Sequence, residues 1–429
     1  MLQRDADNAL KARAARVVPN GMYGHEAVHI LPAGYPQYFA RAKGAHLWDA
    51  DGNRYLDLMC GYGPNLLGYG EPRVQQAALD QMALGDTMTG PSPVMVELAE
   101  VMTDMVGHAD WAMFCKNGTD ANTMALTAAR AQTGRKVVVL ARGAYHGAAP
   151  WCTPLPGGVT PEDRANQITY TYNDVASLEA AVEAAGEDLA AIFASPFKHD
   201  AFFAQEVPDP AYAWRARELC DEKGAMLVVD EVRAGFRLAR DSSWAELGVD
   251  PDLSAWGKCL ANGHPISVLL GADSCRQGAA SIYATGSFWF SAVPMAAALK
   301  TLEIVREEDG IERTVTMGTA LRDGLDEIGR RHGLPMIQTG PVQMPLVMFE
   351  GDPDLRIGYA FNAAMMQRGV YMHPWHNMFV GAAMTDADIA FVLDAADGAL
   401  GEIASRQSSL EPHPAIVAML AAHAAPNND

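Results

Sequence analysis

The sequence predicts an α/β protein whose larger part is a mostly parallel β-sheet covered by helices. From about residue 71 onward, short apolar runs alternate with longer stretches that have the apolar periodicity of amphipathic helices. The runs are continuously apolar, as in parallel strands that are buried on both faces. Six runs have this character: WAMFC, KVVVLA, LAAIFA, AMLVVD, LSAWG and ISVLLGA.

The two ends of the chain have a different pattern. The N-terminus is a charged, alanine-rich stretch that predicts a helix and lacks the apolar segment of a secretory signal. The segment from His46 to Leu58 contains two alternating runs around Asp-Gly-Asn, which predicts a hairpin. A helical stretch and shorter strands near the C-terminus predict a small α+β domain that the hairpin completes. We therefore expect an N-terminal segment 1–65, a large domain 66–310 and a small domain 311–429.

Composition excludes several classes of partner. The chain has 429 residues with 32 basic and 52 acidic side chains, for a net charge of -20. Such a surface repels nucleic acid and anionic lipid, and no apolar run is long enough to span a bilayer. The six cysteines form no C-x-x-C pair, which indicates reduced thiols and a cytoplasmic protein. The histidines show no paired spacing such as H-E-x-x-H, so no metal site is predicted.

Two turns that follow apolar runs carry residues suited to a flat, phosphorylated ligand. After WAMFC, the residues Asn117, Gly118 and Thr119 open a helix, and the N-terminus of a helix binds phosphate. The alternative is an ordinary helix cap formed by Asn117 or Thr119. After KVVVLARGA, Tyr145 and His146 follow, and an aromatic side chain there could stack on a ring. Alternatively, Tyr145 is a half-buried core residue.

Asp230 and Glu231 end the apolar run AMLVVD, where two carboxylates are costly unless they are paired. Asp230 could bind a metal, act as a base, or pair with a cationic ring nitrogen. The alternative is a buried salt bridge to Arg233 or Arg237.

Lys258 lies alone between the last two apolar runs. Burial of a lysine lowers its pKa from about 10.4 towards neutrality, which makes the amine nucleophilic and suited to a Schiff base. The alternative is a lysine satisfied by a carboxylate. A phosphate cradle, an aromatic, an aspartate and a lysine thus follow successive strands in that order. Pyridoxal phosphate requires all four, so it is the predicted cofactor.

The chain resembles the class III pyridoxal-phosphate-dependent aminotransferases, which have fold type I, and among them the glutamate-1-semialdehyde aminomutase-like branch. The resemblance extends over nearly the whole chain. It rests on these stretches: AKGAHLWDADGNRYLDL, NGTDANTMALTAARAQTGRKVVV, YHG, LCDEKGAMLVVDEVRAGFR, GKCLANGHPISVLLG and SAVPMAAALKTL.

The resemblance implies a role for each matching residue. Lys258 would form the Schiff base and move the proton, and Asp230 would keep the pyridinium nitrogen protonated. Val232 and Tyr145 would pack on the two faces of the ring. The full cofactor set that it implies is Asn117, Gly118, Thr119, Tyr145, His146, Asp230, Val232, Lys258, Ser287 and Trp289. It also implies a homodimer in which each chain contributes to the other's active site.

The chain departs from the family pattern at the phosphate. Asn117 and Asp120 replace the family's usual serine and glutamate in the cradle. The place of a threonine that the partner subunit supplies falls on Trp289, whose indole can only donate a hydrogen bond. One of three residues with hydroxyls in the same stretch is expected to take over that contact: Ser287, Thr285 or Ser291.

The chain also departs in the substrate region. The loop that carries a carboxylate-binding arginine in the aminomutases is VPNGMYGHEAVHI, which has none. This argues against formation of 5-aminolevulinate and for a substrate with an aromatic or aliphatic part. The residues expected to line the altered pocket are Tyr23, His25, Tyr62, Trp375, His376 and Asn377, although several could be packing residues only. Arg233, Lys198 and His199 are each able to bind a substrate carboxylate.

The predicted function is an aminotransferase that moves an amino group from a β-amino acid, an ω-amino acid or an amine to a keto acid or an aldehyde. One alternative keeps the cofactor and makes the enzyme an isomerase, either an aminomutase or a racemase/epimerase. The other is a nucleotide-binding α/β protein, such as a dehydrogenase, or a non-enzymatic binding module. That alternative leaves Lys258 unexplained and lacks the G-x-G-x-x-G fingerprint.

Overall fold

The computed structural model describes residues 2–155, 157–199 and 202–424. Its strands are β1 Phe39–Lys43, β2 His46–Asp49, β3 Arg54–Asp57, β4 Trp111–Cys115, β5 Val137–Ala141, β6 Gln167–Tyr170, β7 Leu189–Ala194, β8 Met226–Asp230, β9 Leu253–Trp256, β10 Ser267–Gly271, β11 Met336–Thr339, β12 Leu346–Phe349 and β13 Val370–Tyr371.

Helices separate most of these strands. They are α1 Asp5–Ala14, α2 Pro72–Leu84, α3 Val94–Met105, α4 Gly118–Thr133, α5 Pro161–Arg164, α6 Val175–Ala185, α7 Pro210–Lys223, α8 Arg276–Ser281, α9 Ala292–Glu307, α10 Gly310–Arg331, α11 Arg356–Gln367, α12 Asp386–Arg406 and α13 Pro414–Ala424. In the ranges that the structure describes, no helix is both long and apolar enough to cross a membrane.

A seven-stranded sheet forms the centre of the fold, in the order β4-β10-β9-β8-β7-β5-β6. Neighbouring strands run parallel except β10, which is antiparallel to both β9 and β4. Two reversals cancel, so β4 runs in the same direction as β9. The carboxyl ends of β4, β5, β7, β8 and β9 therefore meet at one edge of the sheet, where ligands of such sheets bind.

Helices cover this sheet on both faces. Alternate residues of β5 belong to different parts of the core: Val138 and Leu140 pack with α4, whereas Val139 and Ala141 pack with α6 and α7. Every residue of β7, β9 and β10 is buried. The continuous apolar character of these runs thus follows from their position between two layers of helices.

A second sheet joins the N-terminal part of the chain to the C-terminal part. Its order is β1-β2-β3-β13, with β13 parallel to β3 and the other pairs antiparallel. The strands β11 and β12 form a separate antiparallel pair. The division of the chain at residues 65 and 310 stays a prediction.

The elements expected from the sequence are confirmed for the helix α1, the hairpin β2-β3 and the six apolar runs. Two strands were missed. The edge strand β6 has the sequence QITY and is only partly buried, and β1 has the sequence FARAK with mostly exposed residues. Neither strand carries the apolar pattern by which a buried strand is recognised.

Candidate active site

A cavity of about 170 Å³ lies at the edge of the large sheet where the parallel strands end. Its walls come from the start of α4, the loops after β5 and β7, the end of β8 and the turn after β9. The lining residues are Asn117, Gly118, Thr119, Asn122, Tyr145, His146, Gly147, His199, Asp230, Val232, Arg233 and Lys258.

The first turn of α4 forms one end of the cavity. Asn117 caps the helix, because its side-chain oxygen accepts a hydrogen bond from the Asp120 N–H at 3.0 Å. The Thr119 hydroxyl oxygen accepts from the Ala148 N–H at 3.1 Å, which leaves its own hydrogen for a ligand. A Cβ on Gly118 would lie 2.8 Å from a methyl carbon of Val232, so only glycine lets these walls approach. The same turn can therefore form an ordinary helix cap and still bind a phosphate, so the two interpretations of this motif do not exclude each other.

Asp230 forms the opposite end. Its Oδ2 accepts hydrogen bonds from Asn122 Nδ2 and His146 Nδ1, both at 2.8 Å, and its Oδ1 accepts from the Val232 N–H. Three donors fix the orientation of the carboxylate. His146 is buried and packs against the rings of Trp151 and Phe193. It therefore orients the carboxylate as well as lining the cavity.

Asn122 is a site residue that the sequence reasoning missed. It lies one turn into α4, is buried, and donates to both Asp230 and the carbonyl oxygen of His146. The available signal was an amide on a helix face otherwise occupied by alanine, methionine and leucine, because a buried polar side chain needs a partner.

Lys258 enters the cavity from the turn between β9 and β10. Its backbone has φ of 43°, a left-handed conformation that is unusual for a residue with a side chain and is typical of functional sites. Burial, with a contribution from the positive charge of Arg233, lowers the pKa of Lys258 to about 8. Within the described ranges its ammonium group has no carboxylate at ion-pair distance, so the alternative of a carboxylate-satisfied lysine is not supported.

In the ranges that the structure describes, Asp230 forms no ion pair with Arg237, one of the two partners considered for a buried salt bridge at this strand end. Glu231 accepts hydrogen bonds from the hydroxyls of Ser242 and Ser243 and from the Ser243 N–H. Arg237 is fully buried and donates to the carbonyl oxygens of Val380 and Gly63. Glu231 and Arg237 therefore have structural roles, whereas the Asp230 carboxylate lines the cavity.

Most of the residues predicted for the substrate pocket come together beside Lys258. A Cβ on Gly63 would lie 3.2 Å from the Lys258 Cδ, which places the loop that carries Tyr62 next to the lysine. The ring of His25 stacks on Tyr62 with 5.4 Å between centroids, and Trp375 and His376 lie within 5.4 Å of the same histidine. We call His25, Tyr62, Trp375 and His376 the aromatic wall.

Two more residues extend this region, and one predicted residue lies outside it. Asn377 is buried and accepts a hydrogen bond from Arg233. Glu26, which was not predicted, accepts hydrogen bonds from the hydroxyls of Tyr62 and Tyr371. Tyr23 is 68% exposed and has no ring contact with the wall in the described ranges.

Ser287 and Trp289 do not line the cavity of their own chain within the part that the structure describes. Ser287 is exposed and Trp289 is half-buried, in the segment between α8 and α9. In this position the two residues could contribute only to the cavity of a second chain, which is the role that the family resemblance implies for them.

The residues fit pyridoxal phosphate. A helix N-terminus with a threonine hydroxyl lies at one end of the cavity, and a carboxylate fixed by three donors lies at the other. Lys258 and Tyr145 line the space between them. Among the described residues, no group of three histidine, cysteine, aspartate or glutamate side chains is placed to hold a metal ion.

We expect Gly147→Ala to weaken binding of pyridoxal phosphate about tenfold, because strain of this kind costs 1–3 kcal/mol. Gly147 has φ of 137°, and an added Cβ would lie 2.5 Å from the Thr119 Oγ1. Spectroscopic titration of the cofactor-free protein measures this affinity. Gly134→Ala is the matched control, since Gly134 also has positive φ, ends the same helix, and has open space around it. Equal affinities for the two variants would contradict the assignment of the cradle.

Comparisons with known proteins agree with this geometry. The family model for aminotransferase class III matches residues 32–397. The chain belongs to the class III aminotransferases. It is 55% identical to the aminopentol aminotransferase of Sphingopyxis macrogoltabida over 413 residues, which cover 96% of this chain and 98% of that protein. It is 32% identical to a glutamate-1-semialdehyde 2,1-aminomutase of Chloroflexus aggregans, over 91% of this chain and 97% of that one.

Comparison with a solved structure supports the same family assignment. The internal aldimine form of the FumI protein of Sphingopyxis sp. MTA144 with pyridoxal phosphate superposes with a TM-score of 0.95 at 55% identity. It covers 96% of this chain and 99% of that one. The class III aminotransferase described here is thus a pyridoxal-phosphate enzyme of fold type I, and the predictions of family, fold, cofactor and aminotransfer are confirmed.

Proposed function

We propose that this aminotransferase takes the amino group of an amine that carries no carboxylate beside it and gives that group to a keto acid. The observation that carries the proposal is the aromatic wall beside Lys258, which stands where the aminomutase-like resemblance led us to look for a carboxylate-binding arginine. The relative named aminopentol aminotransferase, at 55% identity, supports an amine of this kind as donor.

The wall is uncharged at neutral pH. Desolvation and the charge of Arg233 lower the pKa of His25 to about 4, and burial lowers the pKa of His376 well below its ordinary value. Glu26, which neighbours His25, accepts hydrogen bonds from the hydroxyls of Tyr62 and Tyr371, and burial raises its pKa. Neutral rings and hydroxyl groups suit an aliphatic amine with hydroxyl substituents.

The chain's own residues account for the transfer of protons. Pyridoxal phosphate, when bound, acts as an electron sink for negative charge on the carbon beside the reacting nitrogen. We propose that Lys258 attaches the cofactor and, once released, takes a proton from that carbon and returns it. A pKa near 8 leaves part of the Lys258 amine unprotonated at neutral pH, so it can act as a base. Asp230 provides the negative charge that keeps the ring nitrogen protonated.

We also propose that the enzyme works as a homodimer. Exposed apolar side chains gather on α2 and on the segment before α9, where Leu84 is 80% exposed and Tyr283 is 94% exposed. These two regions are joined, because Asp86 after α2 accepts hydrogen bonds from the N–H groups of Ala292 and Val293. Exposed apolar side chains on two adjoining segments favour a subunit interface. It would bring Ser287 and Trp289 to the partner's cavity. A monomer in sedimentation analysis would contradict this proposal.

A cytoplasmic location remains part of the proposal. All six cysteines are free and buried, which is compatible with a reducing compartment. Cell fractionation with an antibody against the protein measures it, and recovery outside the cytoplasm would contradict it.

The substrate proposal is tested by product analysis with matched donors. A 2-amino alcohol and the corresponding α-amino acid, each supplied with pyruvate, differ mainly in the group beside the amine. We expect kcat/KM for the amino alcohol to exceed that for the amino acid at least about tenfold, which corresponds to about 1.4 kcal/mol. A preference for the amino acid would contradict the proposed donor class while leaving aminotransfer intact.

An isomerase is the second candidate, because several of the relatives are glutamate-1-semialdehyde aminomutases. An isomerase needs no second substrate. Turnover that proceeds at the same rate without any keto acid, and that yields an isomer of the donor, would favour it.

A further inference from the structure

One carboxylate beside the aromatic wall takes no part in the transfer of protons described above. Glu26 is half-buried and follows His25 directly in the chain. Asp7, a buried carboxylate in the same part of the chain, is paired with Lys11 at 2.8 Å. Across the described residues, by contrast, Glu26 has no cationic side chain at ion-pair distance, and it accepts hydrogen bonds from two tyrosine hydroxyls. A carboxylate that is withdrawn from water without a cation is costly, so its position requires an explanation.

The two tyrosines leave one oxygen of Glu26 with capacity for a further hydrogen bond. The hydroxyl of Tyr62 donates to Oε1. The hydroxyl of Tyr371 has a single hydrogen and lies 3.2 Å from both Oε1 and Oε2. A carboxylate has about four sites that can accept a hydrogen bond, two at each oxygen. Within the part of the chain that the structure describes, Oε2 therefore has only a share of one long hydrogen bond, and it can accept another from a ligand.

Tyr62 connects this carboxylate to the place where the amine reacts. The loop that carries Tyr62 lies next to Lys258, since a Cβ on the following Gly63 would lie 3.2 Å from the Lys258 Cδ. The Tyr62 ring stacks on His25, and the hydroxyl at its far end reaches Glu26. This side of the site is open, because His25 is exposed and Tyr62 and Glu26 are half-buried. A donor that lies along the wall with its amine at Lys258 would bring its far part to Glu26.

The charges around the wall decide which group on the donor suits Glu26. A carboxylate on the donor would face the carboxyl group of Glu26 itself. Burial, together with the positive charges of Arg233 and Lys258, lowers the pKa of His25 to about 4, so a second ammonium group would be repelled there as the His25 imidazolium is. A hydroxyl group has no net charge and can donate its hydrogen to Oε2. Of the three groups, the hydroxyl is the one that neither set of charges repels.

We propose that Glu26 is a specificity-determining residue that accepts a hydrogen bond from a hydroxyl group on the donor, further along the carbon chain than the reacting amine, an inference that rests on the proposed function. Tyr62 and Tyr371 position the carboxylate through their hydroxyls. Tyr371 is held in turn by the pairing of β13 with β3 in the second sheet. The site therefore favours an amine with a distant hydroxyl over the corresponding alkyl amine.

The test compares hexan-2-amine with three amino alcohols of the same carbon chain: 5-aminohexan-3-ol, 5-aminohexan-2-ol and 5-aminohexan-1-ol. Each is supplied with pyruvate to the cofactor-loaded enzyme, and kcat/KM for the amino alcohol is divided by kcat/KM for hexan-2-amine. We expect this ratio to be about ten or more for at least one amino alcohol, the effect of a hydrogen bond to a charged group.

Two substitutions of Glu26 should lower this ratio in steps. Glu26→Gln keeps the shape of the side chain and removes its charge. The ratio for the preferred amino alcohol should fall to about three, because a hydrogen bond to a neutral group is roughly half as strong. Glu26→Leu removes both oxygens, and the ratio should fall to about one. If Glu26 only supported the fold, both variants would lower kcat/KM for all four amines equally and keep the wild-type ratio.

Asp57→Asn is the matched control. Asp57 also accepts a hydrogen bond from a tyrosine, the hydroxyl of Tyr69 at 2.7 Å, but it is buried and is not beside the wall rings. This variant is expected to lower the stability of the protein and to keep the wild-type ratio. A ratio of about one in Asp57→Asn would show that disturbance of the second sheet is enough to abolish the preference, which would count against a direct contact with Glu26.

A binding measurement accompanies the kinetics. In Lys258→Ala a donor is expected to bind without turnover, so the change in visible absorption of the bound cofactor gives its dissociation constant. We expect the preferred amino alcohol to bind about tenfold more tightly than hexan-2-amine in this variant. When Glu26→Leu is added, the two constants should become equal.

Two results would overturn the proposal: a wild-type enzyme that prefers none of the amino alcohols to hexan-2-amine, or a wild-type ratio in Glu26→Leu. Failure of the proposed function is a different result, in which the wild-type enzyme transfers the amino group of none of the four amines. The dissociation constants measured in Lys258→Ala would then still decide whether Glu26 recognises a hydroxyl group.

Discussion

Replacing Lys258 with alanine is expected to lower turnover by about a thousandfold or more, because the variant loses both the group that attaches the cofactor and the base that moves the proton. The fold should survive the change. The Lys258 side chain makes no hydrogen bond or ion pair within the described ranges, and the change to alanine leaves the backbone unaltered. Steady-state kinetics with an amine donor and pyruvate measures the loss, and circular dichroism checks the fold.

The control for this experiment is Lys300→Ala. Lys300 lies on α9, far along the chain from the cavity residues, and pairs with Glu303 on the surface. It should keep wild-type kinetics. Partial recovery of Lys258→Ala by added methylamine would support the role of a base, since a small amine can enter the vacated space. Wild-type turnover in Lys258→Ala would contradict the assignment of the lysine.

Replacing Asp230 with asparagine is expected to slow the half-reaction with the amine donor about a hundredfold or more, the magnitude seen when one electrostatic group is lost from an active site. The shape of the side chain is kept, and the hydrogen bond from the Val232 N–H to an oxygen can persist. The negative charge that faces the ring nitrogen is lost. Stopped-flow absorbance after mixing with donor measures the rate of this single half-reaction.

A second buried aspartate provides the matched control. Asp352 accepts hydrogen bonds from the N–H groups of Ile357 and Gly358 at the start of α11, outside the cavity. Asp352→Asn is therefore expected to lower the stability of the protein and leave the half-reaction rate near that of the wild type. Equal slowing in both variants would show that Asp230 acts through the fold, which contradicts its proposed role.

The predicted residues that the structure brings together in one cavity are those whose signal in the sequence is local. Asp230 ends a strand, and Asn117, Thr119 and Lys258 lie within a few residues after one. Strands that run parallel end at the same edge of a sheet. The order of these residues was enough to predict both the cavity and its cofactor, because each signal lies within a few residues of the strand that positions it.

The interactions that were missed join residues far apart in the chain. Asn122 meets Asp230 across 108 positions, and Arg233 meets Asn377 across 144. Tyr371 reaches Glu26 across 345 positions. No periodicity or spacing encodes such pairs, since each depends on how the two sheets and their loops pack. Ser287 and Trp289 differ again, because their predicted role belongs to a second chain.

The central claim is that the cavity holds pyridoxal phosphate and exchanges its amino group with a donor amine. Visible absorption of the purified protein, before and after addition of a donor without any acceptor, tests it most directly. The account predicts a yellow protein that a donor amine bleaches and that a keto acid then restores. A protein that stays colourless when pyridoxal phosphate is added would contradict the account.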